Sequence, residues 1–223
     1  MKRWRNIVLA ALLIGAGVYV YLHRQELGVA GLLTSKTASS DNSSEIGSSS
    51  AHPASINWQT VDRPQSGFKL EMPSDTKDVQ VPAYNQAGGA EAINMILSNP
   101  DNATTFSIAW ADNPPVLEAN GRSIDRVMEM AREGALERTQ TTLVSESGSA
   151  PGGNPARDFI ARNAGGGVMD TRLIMVGNRL YMLSAAFPSM SARREQDVTR
   201  FFNSFTSAQS RAIPTSVPPA GQS

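Results

Sequence analysis

The chain has no cysteine, and its two histidines are His23 and His52. The first absence removes disulfides, thiolate nucleophiles, iron–sulfur clusters and cysteine-type zinc sites together. It also removes a lipoprotein anchor, which needs a cysteine at its processing site. The second leaves residues 56–208 without histidine. Ser–His–Asp hydrolysis, Cys–His catalysis and histidine-ligated metal sites would then need a group supplied from elsewhere. Neither sign of charge is in excess, with 20 Lys and Arg against 20 Asp and Glu. A neutral chain has no field to draw in nucleic acid, which is not expected as a partner.

One apolar run stands out. Residues 1–5, MKRWR, place Lys2, Arg3 and Arg5 before residues 6–22, NIVLAALLIGAGVYVYL, which carry no charge. As a helix, that run spans roughly 26 Å, close to the ~30 Å of a hydrocarbon core. Tyr19 and Tyr21 lie near one end and Trp4 near the other, where aromatic rings favour the interface. The cations before the run keep residues 1–5 in the cytoplasm and export the rest. Two readings of the run compete. An uncleaved anchor fits its length. A cleaved signal peptide would use Gly28 and Ala30 as its small residues, but His23, Arg24, Gln25 and Glu26 separate them from the run. Either way the chain is expected to be exported, periplasmic or on the cell surface, and the anchor reading makes the membrane its first partner.

Residues 23–55 form a Ser-rich stretch without apolar periodicity, which reads as a flexible tether. Residues 209–223 carry three prolines and read as a disordered tail. Asn42 and Asn102 each open an Asn-X-Ser/Thr sequon. Between tether and tail, residues 56–208 are long enough to bury a core unaided.

Within that domain, Phe68, Leu70 and Met72 alternate with polar residues over 67–72, a strand stopped by Pro73. Residues 92–97 and 105–111 read as strands, the second with Phe106, Ile108 and Trp110 on one side. Over 121–138 the period becomes helical. Ile124, Val127, Met128, Ala131, Ala135 and Leu136 share a face, and Ser123 is the expected N-cap. Strands follow at 139–147, 156–162, 168–176 and 179–186. The last two are joined through Gly177-Asn178, which suits a two-residue hairpin because both tolerate positive φ. Pro188 and Ser189 open a final helix whose Val198, Phe201, Phe202 and Phe205 form a core stripe. Runs of strands with inserted helices predict an α+β domain with a mainly antiparallel sheet.

This order resembles the PsbP-like fold, an α/β/α sandwich that also includes DcrB-type and Mog-type proteins. The residues carrying the resemblance are GFKLEMP at 67–73, the central helix, GNRLYMLSA at 177–185 and RFFNSF at 200–205. The resemblance covers most of residues 58–207. It implies accessory, assembly or binding roles, with no shared catalytic residues to carry over.

The remaining candidates for chemistry are charged. Glu129, Glu133 and Glu137 recur at i, i+4 and i+8 and read as a solvated face paired with Arg126, Arg132 and Arg138, ahead of a weak cation or docking stripe. Asp101 and Asp112 fall at expected loop positions, without the alternating ligands of a calcium loop. Gly165, Gly166 and Gly167 read as a hairpin turn, since a phosphate loop precedes a helix. Residues 151–155 read as a loop. Arg157, Arg162, Arg172, Arg179, Arg193 and Arg194 read either as an anion patch or, more commonly, as scattered surface charges. Trp58 and Trp110 read as core or edge-covering aromatics. No catalytic, cofactor or metal residue is assigned. The expected function is a non-catalytic accessory or binding domain that contacts an envelope protein. The alternatives are a small-ligand binder and a hydrolase using carboxylates alone, which needs two facing carboxyls roughly 5–10 Å apart.

Overall fold

The computed structural model describes residues 56–84, 90–101, 103–112 and 124–208. The apolar run at 6–22, the tether, the tail, both histidines, Asn42, Asn102 and Ser123 lie outside the described residues. Among the described residues no helix is long and apolar enough to cross a membrane.

Among the described residues the fold has ten strands and two α-helices: β1 Trp58–Arg63, β2 Phe68–Pro73, β3 Lys77–Tyr84, β4 Ala90–Asp101, β5 Thr104–Asp112, α1 Ile124–Thr139, β6 Thr141–Ser149, β7 Ala156–Asn163, β8 Val168–Val176, β9 Arg179–Phe187, α2 Glu195–Asn203 and β10 Thr206–Ser207. They form a seven-stranded sheet in the order β3-β4-β5-β9-β8-β7-β6 and a small sheet, β1-β2-β10. Each strand pairing is antiparallel. The α+β class expected from the sequence is the class observed.

Alternation along the strands gives the large sheet two chemically distinct faces. On one, Ile96, Phe106, Ile108, Tyr181, Leu183 and Phe187 meet Phe68, Leu70 and Met72 of β2 and Val198, Phe201 and Phe202 of α2. On the other, Phe159, Met169, Leu173, Met175 and Met182 meet Met128, Ala131 and Ala135 of α1. We call these the aromatic and methionine faces. The small sheet and α2 cover the first, and α1 covers part of the second, so the large sheet is the middle layer.

Several boundaries differ from the sequence reading, each for a local reason. The helix α1 runs through Thr139, whose hydroxyl donates to the Ala135 carbonyl at 2.8 Å. It stops because Gln140 takes φ 51, so the next strand begins at Thr141 rather than at 139. On α1, Ile124 is exposed, whereas Met130, assigned to no face, is buried. Ser189 caps only a single 3-10 turn, Met190–Ala192, and α2 starts at Glu195. Phe205 therefore lies beyond the helix, yet it is buried against Phe68 and Tyr181. In the β8–β9 turn only Gly177 has positive φ, at 56, the pattern of a II′ turn rather than of positive φ at both residues. The triple glycine forms the β7–β8 turn as expected, with Asn163 Oδ1 accepting from the Gly167 N–H at 2.8 Å. The 151–155 loop contains a 3-10 turn, Pro151–Gly153. Strands β1, β3 and β10 have no counterpart in the sequence reading; β3 carries Pro82, which argues against a strand except at an edge, where it lies.

Phe201 is fully buried and meets Phe106 edge-on at 5.4 Å between ring centroids. Phe201→Ala is expected to lower unfolding free energy by about 3–5 kcal/mol. Urea denaturation of the two proteins measures it.

Candidate functional site

The helix α2 covers only part of the aromatic face. Beyond it, strands β7 and β6 continue to the sheet edge, and no other described residue covers them there. The result is an open groove of about 420 Å³, floored by Ser145, Ser147, Asp158, Ile160 and Arg172 and walled by Arg193, Glu195, Thr199, Phe202 and Asn203. Register explains the floor. Asp158 pairs with Arg172 across β7 and β8, and Asp170 pairs with Ile160, so the two carboxylates are diagonal neighbours on one face.

Each carboxylate is held by a guanidinium. Arg172 donates from Nε and Nη2 to the two oxygens of Asp158, each at 2.7 Å. It also lies over the Phe202 ring at 5.0 Å. Arg193 donates from Nη2 and Nε to Asp170 at 2.7 and 2.9 Å, and a third donor reaches Glu195. Hydrogen bonding to Asp170 raises the Arg193 guanidinium pKa further, so that charge is permanent. With Asp170 only 3% exposed, the pair is a buried, bidentate contact of the strong kind.

Arg157, Arg179 and Arg194 are also engaged by carboxylates, which argues against the anion-patch reading. Arg179 donates to Asp112 at 2.8 Å and Arg194 to Asp101 at 3.2 Å. Arg157 and Arg132 both reach Glu146, the former at 3.0 Å. Arg162 stays exposed on β7. Asp101 and Asp112 therefore sit at strand ends as ion-pair partners, and not in loops. The Arg179 hydrogen bond, outweighing burial, holds the Asp112 carboxyl below its usual range. Burial pushes Asp101 up, but the Ala103 N–H, the Thr104 hydroxyl and Arg194 together outweigh it and lower it. Burial likewise raises the Tyr181 phenol, against the pull of Arg179. Tyr181 donates to the Ser66 carbonyl at 2.8 Å, beside Gly67, where φ is 73 and an added Cβ would lie 3.0 Å from the phenol oxygen.

The glutamate row behaves as a solvated face. Glu129 takes Arg126 at 2.6 Å and Glu133 lies 3.8 Å from Arg132. Trp58 and Trp110 are half-buried against the aromatic core, Trp58 beneath Arg200 at 4.6 Å. A second open depression of about 730 Å³ lies on the outer side of the small sheet, lined by Thr60, Lys69, Glu71, Arg200, Ser204 and Thr206. Among the described residues no group of His, Asp or Glu has the geometry of a metal site.

No protein-family model matches the chain, and no curated protein matches it. Its chain path is similar to that of cyanobacterial PsbP. The solution structure of that protein (CyanoP) from Synechocystis sp. PCC 6803 has a TM-score of 0.48 at 10% identity, over 73% of this chain and 98% of that one. A crystal structure from Bacteroides thetaiotaomicron has a TM-score of 0.36 at 12% identity, covering 63% of this chain and 45% of that one. A protein of unknown function from Pseudomonas aeruginosa, described as a putative regulator, has 0.32 at 14%, covering 61% and 85%. These likenesses concern fold and assign no residue a role.

What sequence reasoning missed is the groove itself. Asp158 and Asp170 stand out neither by spacing nor by composition. A signal does exist: Asp170 and Arg172 interrupt the mainly apolar strand β8, and Asp158 faces them from β7.

Asp170→Ala strands the Arg193 charge and is expected to cost about 3–5 kcal/mol of stability. Arg63→Ala, at an exposed pair, should change it by less than about 1 kcal/mol; urea midpoints compare the two. A carboxyl with a lowered folded pKa contributes stability that is present above its unfolded pKa and lost as pH falls through the folded value. Asp112 and Asp101 should therefore leave the urea midpoint unaffected near neutrality and reduce it below about pH 4, and Asp112→Asn should flatten part of that fall.

Proposed function

We propose that this chain is an exported, membrane-tethered accessory domain that acts by contact with a protein of the cell envelope, without catalysis. The observation that carries the reading is the end of the large sheet left uncovered by the described residues, where β6 is exposed along nearly its whole length beside the open groove. Folded domains seldom leave a long sheet edge and a bare floor together without a use for them. The floor carboxylates support the non-catalytic part, because each is occupied by a guanidinium. A hydrolase using carboxylates alone needs one to protonate a leaving group and another to attack or to activate water, and neither Asp158 nor Asp170 has such an oxygen free of its arginine. The cationic start and apolar run at residues 1–22 support export and tethering.

A second reading is small-ligand binding, favoured by the groove's volume of about 420 Å³, which falls in the range of small-molecule sites. Thermal shift against envelope metabolites separates it from the first.

Fractionation with protease accessibility tests the proposal on the full chain. The expected result is retention in membranes through carbonate extraction, with residues 56–208 released only by protease added from outside. Recovery of the domain as a soluble, processed species would rule out the tether.

A further inference from the structure

Exposure divides the methionines of this fold sharply. Apart from Met190, those among the described residues are 0–7% exposed, Met130 being the least covered. Met128, Met169, Met175 and Met182 form the contact between α1 and the large sheet, each thioether among apolar neighbours. Met190 is 39% exposed and belongs to none of the apolar clusters that the described residues form. It opens the 3-10 turn Met190–Ala192 between β9 and α2.

That turn is held without the thioether. Ser189 Oγ accepts from the Ala192 N–H at 3.2 Å, and the Ser189 and Ser191 hydroxyls lie 2.9 Å apart. The Met190 carbonyl accepts from the Arg193 N–H at 3.3 Å. Arg193 then grips Asp170 on β8 through Nε and Nη2. Main-chain, hydroxyl and guanidinium contacts therefore fix the chain on both sides of Met190, and its sulfur contributes to none of them.

Oxidants of the peroxide class attack a thioether through a sulfur lone pair. The O–O bond breaks and an S–O bond forms. Sulfur is oxidised to the sulfoxide and the peroxide is reduced to water. The reagent must reach the sulfur, so exposure governs the rate. A buried thioether reacts only when the structure opens locally, and its polar product would disrupt the core around it. At Met190 the product stays in water.

We propose that Met190 is a reversible oxidation site: peroxide converts its thioether to the sulfoxide while the buried methionines stay reduced and the fold persists. The change puts a hydrogen-bond acceptor three positions before Arg193, a wall residue of the groove, and leaves the Arg193–Asp170 pair in place. Methionine sulfoxide reductases return each sulfoxide epimer to the thioether, so the modification is erasable. The inference uses neither the export topology nor the accessory reading.

The test treats the purified full chain, in detergent, with hydrogen peroxide and follows oxygen uptake peptide by peptide in a mass spectrometer. The Met190 peptide is expected to gain one oxygen roughly tenfold or more faster than the peptides carrying Met72, Met169 and Met182. In denaturing urea that difference should vanish. Methionine sulfoxide reductases should restore the Met190 peptide. Met190→Leu should lose the fast uptake, and both this variant and the Met190-oxidised protein should keep the urea midpoint of the untreated chain. Uptake at Met169 or Met182 as fast as at Met190 in the folded protein would overturn the selectivity. A midpoint that drops once Met190 alone is oxidised would overturn the claim that the fold tolerates the change.

Discussion

The aromatic layer between the two sheets is the constraint on which the rest depends. Phe106 meets Trp58, Phe187 and Phe201 at centroid distances of 5.4–6.1 Å, and Phe68 meets Trp110, Tyr181 and Phe205 at 5.1–6.4 Å. These rings come from both ends of the domain. Strands β1 and β2 open it, and α2 with Phe205 closes it. Edge-on ring packing is geometrically demanding, so the layer fixes the angle at which α2 lies on the sheet. That angle in turn decides how much of β7 and β6 stays bare.

The opposite face is built differently. Methionine and alanine dominate the contact between α1 and the sheet, with Met128, Met169, Met175 and Met182 beside Ala131, Ala135, Ala161 and Ala186. Unbranched thioethers fill irregular gaps but specify geometry weakly. Rigidity therefore resides on the aromatic side, where the groove lies. The buried Asp170–Arg193 pair and the Asp158–Arg172 pair extend that rigidity past the last aromatic ring. The groove wall is thus held by charge where apolar cover ends.

Such pairs contribute little net stability, since desolvation offsets most of the attraction. Their value is geometric. Arg193 precedes α2 and Asp170 lies on β8, so the bidentate contact fixes the start of the helix against the sheet. Arg172 bridges Asp158 and Asn203, which ties the end of the same helix to β7. A floor fixed in this way presents a preformed surface, and a preformed surface loses less entropy on binding.

Much of the fold was legible in the sequence because its signals are local. Alternation marked β2, β4, β5 and β7–β9; a helical period marked α1; the glycine turns marked both hairpins. Strands β1 and β3 escaped because one has a mostly exposed pattern and the other contains a proline. The arginines were legible as charges but not with their distant partners: Asp158, Asp170 and Asp101 stand 14, 23 and 93 positions from Arg172, Arg193 and Arg194, and only the tertiary fold joins them. The sequence by itself determined which chemistries were missing from residues 56–208, since residue types carry that information directly. Only the tertiary structure decided which charges are neutralised, which strand is left at the edge and where the cover stops, because each depends on contacts between residues far apart along the chain.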